Sequence, residues 1–438
     1  MTLLEALQTL FTRYGFNHQT TCWVAYSGGL DSHVLLSLCH ELRKSFPIRL
    51  CAIHVNHNLN LRAKAWVEHC QQTCGSYDIE FFYHDIHIEK SPGKSLEEEA
   101  RNKRYDVFAK YLSPGDCLLT AHHQNDQAET VLLQLLRGSG PKGLSAMPVV
   151  NSFAQGIHAR PFLDFSRHAI QEYAHQHQLQ WIDDEMNANT QYMRNFLRHE
   201  IIPLLKTRLP NVEKAIARSA SHCQESQRLL DAHSFELLEQ VKGSVNQTLA
   251  VSKILQLNTD KQRLVLRSWI ASQGFSLPNT KKILAILQNV LLAAQDKMPA
   301  IFWGNAELRR YRDNLYLMSR RSRAEPMMQH INWDFSEPLI FPSGKRLQAK
   351  LTHGKGLRSD LQRVMVRFRR TGEWVNLPGR NNQHCVKNLL QEWGVPPWKR
   401  HEIPFIFYEE QLICVPDYYL AKEYQTPKDA MGFEMQVG

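Results

Sequence analysis

Six residues near the start of the chain, Ser27-Gly28-Gly29-Leu30-Asp31-Ser32, constrain its fold more than any other feature. An apolar run of strand length, Cys22–Ser27, leads into the double glycine, and a segment of helical period, Asp31–Lys44, leaves it. Adjacent glycines let backbone approach a ligand with no Cβ in the way, and the helix start that follows presents free amides and the positive end of its dipole. Such a turn holds phosphate. The hydroxyls of Ser27 and Ser32 add donors, whereas Asp31 is out of place among anion contacts unless a divalent cation bridges it to the phosphates. A plain Gly-Gly turn with Asp31 as helix cap is the competing reading, disfavoured because strand, glycines, acid and serines arrive together in the order that phosphate loops require. Gly93-Lys94-Ser95 looks like the end of a second phosphate loop, but Ile88 stands where that motif needs glycine, and Ser95 with Glu98 reads as a capping box.

The same alternation continues for about two hundred residues. Strand candidates at Arg49–Val55, Glu80–His84 and Cys117–Ala121 are separated by helical patterns near Leu61–Cys74, Leu96–Tyr111 and Asn125–Arg137. This is the pattern of βαβ units, so the expectation is an α/β domain built on a doubly wound parallel sheet. Two more helical patterns follow at Ser166–Gln178 and Met193–Leu205, the second broken near Pro203. From about Asn211 to Gln295 the chain reads as helical throughout, and beyond a linker-like MSRRSRAEPMM short β-like runs punctuated by Pro and Gly suggest a small α+β domain. The expected division is residues 1–212, 213–325 and 326–438, consistent with 438 residues at about 150 per domain.

Composition narrows the class. With 43% hydrophobic and 22% charged residues the chain is neither disordered nor fibrous. No apolar run approaches a membrane span, and MTLLEALQTLFTRYG reads as an amphipathic helix rather than a secretion signal. Nine scattered cysteines without a CxxC pair argue against disulfides, zinc or iron–sulfur chemistry and for a reducing cytoplasm. The net charge of +9 favours a polyanionic partner, and arginines crowd two regions, Arg309–Arg323 and Arg358–Arg370.

Asp126 and Glu129 lie three apart on a predicted helix, so both carboxylates leave one face, at the strand edge that carries the phosphate loop. They are candidates to coordinate Mg²⁺ or to hold an amine. His122 and His123 read as packing or hydrogen-bonding groups rather than zinc ligands. Arg101 and Arg104, on one face of another helix, are candidates to neutralise phosphate.

SGGLDS resembles the PP-loop of the ATP pyrophosphatase superfamily, whose members split ATP between its α and β phosphates to adenylate a carbonyl oxygen. Further segments narrow that resemblance: HVNHNLN (His54–Asn60), EEEARNKRY (Glu97–Tyr105), TAHHQNDQAETVLLQLLRGSGPKGL (Thr120–Leu144), ARPFL (Ala159–Leu163) and WIDDEMNANTQYMRNFLRHEIIPLL (Trp181–Leu205). Together with FRRTGEW and GRNNQHCVKNLLQEWGVPPWKRHEIPFIF near the end, they are similar to the tRNA(Ile)-lysidine synthetase family. The match departs at Asn189, where the family has an acid, and at Glu373-Trp374.

The resemblance implies an AMP-forming ligase that joins L-lysine to C2 of the wobble cytidine in the CAU-anticodon isoleucine tRNA, changing its codon from AUG to AUA. It implies ATP and Mg²⁺, with Ser27, Gly28, Gly29, Leu30, Asp31 and Ser32 on the nucleotide, Asp31 and Asp126 on the metal, and Asp31, Arg101, Asp126, Glu129 and Arg194 in catalysis. Asp126 or Glu129 is the candidate to deprotonate the lysine amine. Arg160, Arg194, Asn195 and Arg198 match family positions, the C-terminal arginines with Trp374, Trp393 and Trp398 are expected on tRNA, and a homodimer is left open. A tRNA cytidine thiolase of the same superfamily is the second reading, against which Cys70 and Cys74 have three residues between them; a non-catalytic RNA-binding relic is the third.

Overall fold

The computed structural model describes residues 1–56, 63–87, 96–183, 190–294, 297–320, 330–341, 344–370, 372–377 and 382–437. The chain divides into two compact units, Met1–His233 and Ser234–Gly438.

In the first unit, α1 (Leu3–Arg13) precedes the alternation β1 (Thr21–Ala25), α2 (Leu30–Leu42), β2 (Arg49–Asn56), α3 (Ala63–Ser76), β3 (Glu80–Asp85), α4 (Leu96–Tyr111), β4 (Cys117–Leu119) and α5 (Gln124–Leu136). A single turn, α6 (Pro141–Leu144), leads to β5 (Val150–Phe153), β6 (Gly156–Ala159) and α7 (Arg167–Gln176). The sheet order is β3-β2-β1-β4-β6-β5, parallel except for the β5–β6 pair. Because β2 and β4 flank β1 on opposite sides, the strand order reverses beside β1, and a crevice opens at the carboxyl ends of β1 and β4.

Burial follows from two covered faces. Six successive residues of β2 are buried, as a parallel sheet between helices requires. Along β1, Cys22 and Val24 join one core with Leu7 of α1, Leu35 of α2 and Ile170 of α7, while Trp23 joins another with Phe108 of α4. Alternate residues therefore serve opposite faces, the two-residue period of a strand.

Two local features depart from expectation. The edge hairpin of β5 and β6 is absent from the strand candidates; its strands carry Asn151 and Ser152, and Ala154 turns the corner at φ 49°. The segment Met193–Lys206 is helical but contains a π-turn over Leu197–Ile201, one residue short of Pro203, whose ring nitrogen has no hydrogen to donate. The capping box proposed for Ser95 and the departure at Asn189 lie outside the described residues.

The helices read between Asn211 and Gln295 are present, whereas residues 300–319, within the 213–325 domain expected to be helical, form strands. Helices Thr259–Ser272 and Thr280–Ala285 pack on a four-stranded sheet that includes the antiparallel strands Ala300–Trp303, Ala306–Tyr311 and Asn314–Ser319. Arg310, one of the crowded arginines, is buried in that sheet and donates to the carbonyls of Leu291 and Ala293, both at 2.7 Å, at a helix end. It is a structural cap, not part of a solvated basic face. The remainder is α+β: a five-stranded and a four-stranded sheet with the helix Val386–Glu392, as expected.

Candidate active site

The glycine loop folds around its own serines. Gly28 takes φ +82°, and a Cβ there would lie 2.9 Å from Cys70 Sγ, so both conformation and space demand glycine. Ser32 Oγ donates to the Gly29 carbonyl at 2.9 Å, accepts from the Ser27 amide at 3.2 Å and lies 3.0 Å from Ser27 Oγ. Gly29, rather than Asp31, caps α2, which puts Asp31 in the first helical turn. A Gly28→Ala variant is expected to lose about 1–2 kcal/mol of stability from the left-handed backbone alone, and to weaken ATP binding, as calorimetric titration measures.

The loop opens into a cleft of about 460 Å³ at the carboxyl ends of the strands, all within the first unit. Ser27, Gly29, Asp31 and Ser32 line one wall, His54 to Asn56 another, and His122, Asp126, Arg104 and Arg198 a third. Arg101 stands apart from this lining: it is exposed and packs 5.6 Å over the Tyr105 ring, while Arg104, one turn further along α4, reaches the cleft. Arg160 is buried behind the wall against His158.

Asp126 and Glu129 do leave one face of α5, and both meet the guanidiniums carried by the π-turn segment. Arg194 donates to Glu129 Oε2 at 2.7 Å and Asp126 Oδ1 at 3.1 Å; Arg198 donates to Glu129 Oε1 at 2.6 Å and Asp126 Oδ1 at 2.9 Å. Four charges thus neutralise one another in a nearly dry cluster. His123 caps α5, accepting the Asp126 amide through Nδ1, so its proton sits on Nε2, 3.4 Å from Asp126 Oδ2 and 3.7 Å from Asp31 Oδ2. Burial opposes charge on His123, yet Asp126 and Asp31 outweigh it and raise its pKa.

These contacts revise one expected role. Burial pushes the Asp126 carboxyl up, but His123, Arg194, His122 and Arg198 together hold it well below the ordinary carboxylate range. Glu129 has both oxygens engaged by arginine. Asp126 in this arrangement is not a ready acceptor for an ammonium proton. Sequence spacing finds the two acids, but their arginine partners lie more than sixty residues away, and nothing local announces the pairing.

The donors suit Mg²⁺ in one respect. Asp31 Oδ1 is buried without a hydrogen-bond partner beside the phosphate loop, whereas the oxygens of Asp126 are occupied. Among the described residues no cluster of three His, Cys, Asp or Glu side chains forms a protein-only metal cage. Magnesium accepts such a site, since it binds through one or two carboxylates plus substrate phosphates.

A PP-loop domain matches residues 2–205, a TilS substrate binding domain residues 249–316 and a TilS substrate C-terminal domain residues 364–437. The tRNA(Ile)-lysidine synthase of Coxiella burnetii is 40% identical, covering 99% of this chain and 96% of its own length. The chain belongs to the tRNA(Ile)-lysidine synthase family. The enzyme of that name from Serratia proteamaculans is 38% identical over 92% of both chains. Membership carries the ligase assignment and ATP use, and it leaves the thiolase reading less supported. It also agrees with the absence, among the described residues, of a helix long and apolar enough to cross a membrane.

Proposed function

We propose that the protein adenylates O2 of the wobble cytidine in the CAU-anticodon isoleucine tRNA and then joins L-lysine to C2, releasing pyrophosphate and AMP. The observation that carries this is the meeting of the phosphate loop, Asp31 and the carboxylate–arginine cluster in one cleft of a chain that matches lysidine synthases end to end.

Cytosine O2 attacks the α-phosphorus in line, forming a P–O bond as the bond to pyrophosphate breaks. The amides and serines of residues 27–32 hold the departing phosphates. Asp31 is the residue to hold Mg²⁺, which when bound offsets phosphate charge. The lysine ammonium gives up a proton to water, its nitrogen attacks C2, AMP leaves with the former O2 and its electron pair, and a second N–H proton passes to water as the C–N bond is completed. Asp126 and Glu129 hold Arg198 at the cleft wall, where its positive charge faces the anionic reactants, and Arg194 braces the same two carboxylates. Incubation with ATP, radiolabelled lysine and bulk bacterial tRNA tests the reading: label enters RNA only as ATP is split to AMP. RNA that stays unlabelled while folded protein and charged controls are intact defeats it.

Residues 1–212 are the proposed catalytic domain, with 213–325 and 326–438 gripping tRNA in a cytoplasmic enzyme. Of the tryptophans expected on RNA, Trp374 is 60% exposed, whereas Trp393 stacks on Tyr419 and Trp398 packs between Tyr311 and Tyr316. Trp374 is the one available for stacking on a base. Arg363 and Arg370 are exposed in the same region. Changing either to Ala is expected to lower the slope of log K for tRNA against log salt by about one, with ATP affinity unchanged.

A further inference from the structure

Behind the cleft runs a row of hydrogen bonds that the chemistry above leaves unused. Arg160, 6% exposed, donates through Nη1 to the Pro148 carbonyl at 2.9 Å and Asn151 Oδ1 at 2.8 Å, and through Nη2 to His158 Nδ1 at 3.0 Å. His158 Nε2 lies 2.8 Å from Thr120 Oγ1, which lies 2.7 Å from His122 Nδ1. Arg160, His158 and Thr120 are buried, and His122 lines the cleft.

The first member sets the polarity of the whole row. A guanidinium donates and never accepts, so His158 Nδ1 is an acceptor and the ring proton is on Nε2, donated to Thr120 Oγ1. The threonine hydroxyl has one hydrogen left to give, and His122 Nδ1 is the neighbour with a lone pair. His122 therefore carries its proton on Nε2. Burial, its largest cause in both rings, keeps them neutral, pushing His158 down to about 2 and His122 to about 3. Among the described residues nothing accepts from His122 Nε2.

We propose that Arg160, His158 and Thr120 are positioning residues that lock His122 as a neutral Nε2–H donor to the oxygen joining the α-phosphoryl group to cytosine. The proposal rests on the ligase reading. Adenylation moves no proton, and in the second step the C–O2 bond breaks with its electron pair going to AMP. A donor that keeps its proton can follow the charge on that oxygen through both steps, as a pre-oriented dipole in a dry site does.

The test uses the full-length protein with ¹⁵N-labelled histidine, the His122 signals assigned by their loss in His122→Gln. The wild type should show the Nε2–H tautomer, and Thr120→Val should lose it. With an α,β-methylene ATP analogue and Mg²⁺ bound, the Nε2 signal should shift only when tRNA is added, because the acceptor oxygen comes from cytosine; a full shift with the analogue alone would put the acceptor on a phosphate and overturn the proposal. In turnover, His122→Asn should lower kcat about a hundredfold with the KM for ATP within threefold, while His122→Gln, which keeps a donor at the ε position, should stay within about fivefold of wild type. Thr120→Val should lower kcat about tenfold, again at constant KM. An Nδ1–H tautomer in the wild type, no shift with either ligand, or equal losses in Gln and Asn variants overturns the proposal. The tautomer and analogue arms need no lysine transfer, so they stand apart from failure of the ligase reading, which unlabelled tRNA alone would signal.

Discussion

Asp31→Asn is expected to cut ATP-dependent pyrophosphate release by about a thousandfold while the melting temperature stays close to that of the parent. The side chain sits in the first turn of α2, 31% exposed, with Oδ1 buried and unpartnered and Oδ2 facing His123 Nε2 at 3.7 Å. A buried carboxylate oxygen with no donor costs free energy, and the helix dipole recovers only part of it. Retaining that arrangement makes physical sense if a cation arrives with the nucleotide. Asparagine keeps the shape and removes the charge. Losing a divalent cation's grip on the departing pyrophosphate removes several kcal/mol of transition-state stabilisation, and about 4 kcal/mol corresponds to three decades in rate. The check pairs a pyrophosphate-release assay with circular dichroism; a folded Asp31→Asn protein that releases pyrophosphate normally removes Asp31 from the metal role.

The parallel sheet was legible because its residues report their own environment. Val24, Ile53 and Leu118 lie in short apolar runs between helical periods, and such runs have little alternative to burial on both faces. The double glycine was legible because its conformation admits no side chain at Gly28. The β5–β6 hairpin escaped because Asn151 and Ser152 lower its apolar contrast, and the sheet in the second unit because Glu307, Arg309 and Arg310 dilute the strand Ala306–Tyr311 with charge. Arg310 looks solvated in sequence and is buried against helix carbonyls in three dimensions. The same limit applied at the site. Spacing placed Asp126 beside Glu129, but the pairing with Arg194 and Arg198, the approach of His123 to Asp31 and the row from Arg160 to His122 depend on distant chain segments meeting. Periodicity carries no information about such encounters, so local reasoning proposed a proton acceptor where the fold had assembled an ion cluster.

That cluster supplies the other large effect. Glu129→Gln is expected to lower the melting temperature by about 10 °C and to abolish lysine transfer. Glu129 is wholly buried and accepts from Arg194 at 2.7 Å and from Arg198 at 2.6 and 3.1 Å. The glutamine amide presents hydrogens to at least one guanidinium, and Asp126 alone then faces two positive charges. Breaking a buried ion pair by removing one partner costs roughly 3–5 kcal/mol, and a unit of this size loses about 2–4 °C per kcal/mol. A double variant separates stability from chemistry. Glu129→Gln with Arg198→Met removes one charge of each sign, so it should regain much of the lost melting temperature while lysine transfer stays absent, since one cation of the cleft wall is gone. A single variant melting within a degree of the parent would mean that the cluster is not closed in solution. A double variant that recovers activity along with stability would mean that the arginines serve the fold alone, and the cleft would then need another source of positive charge for its reactants.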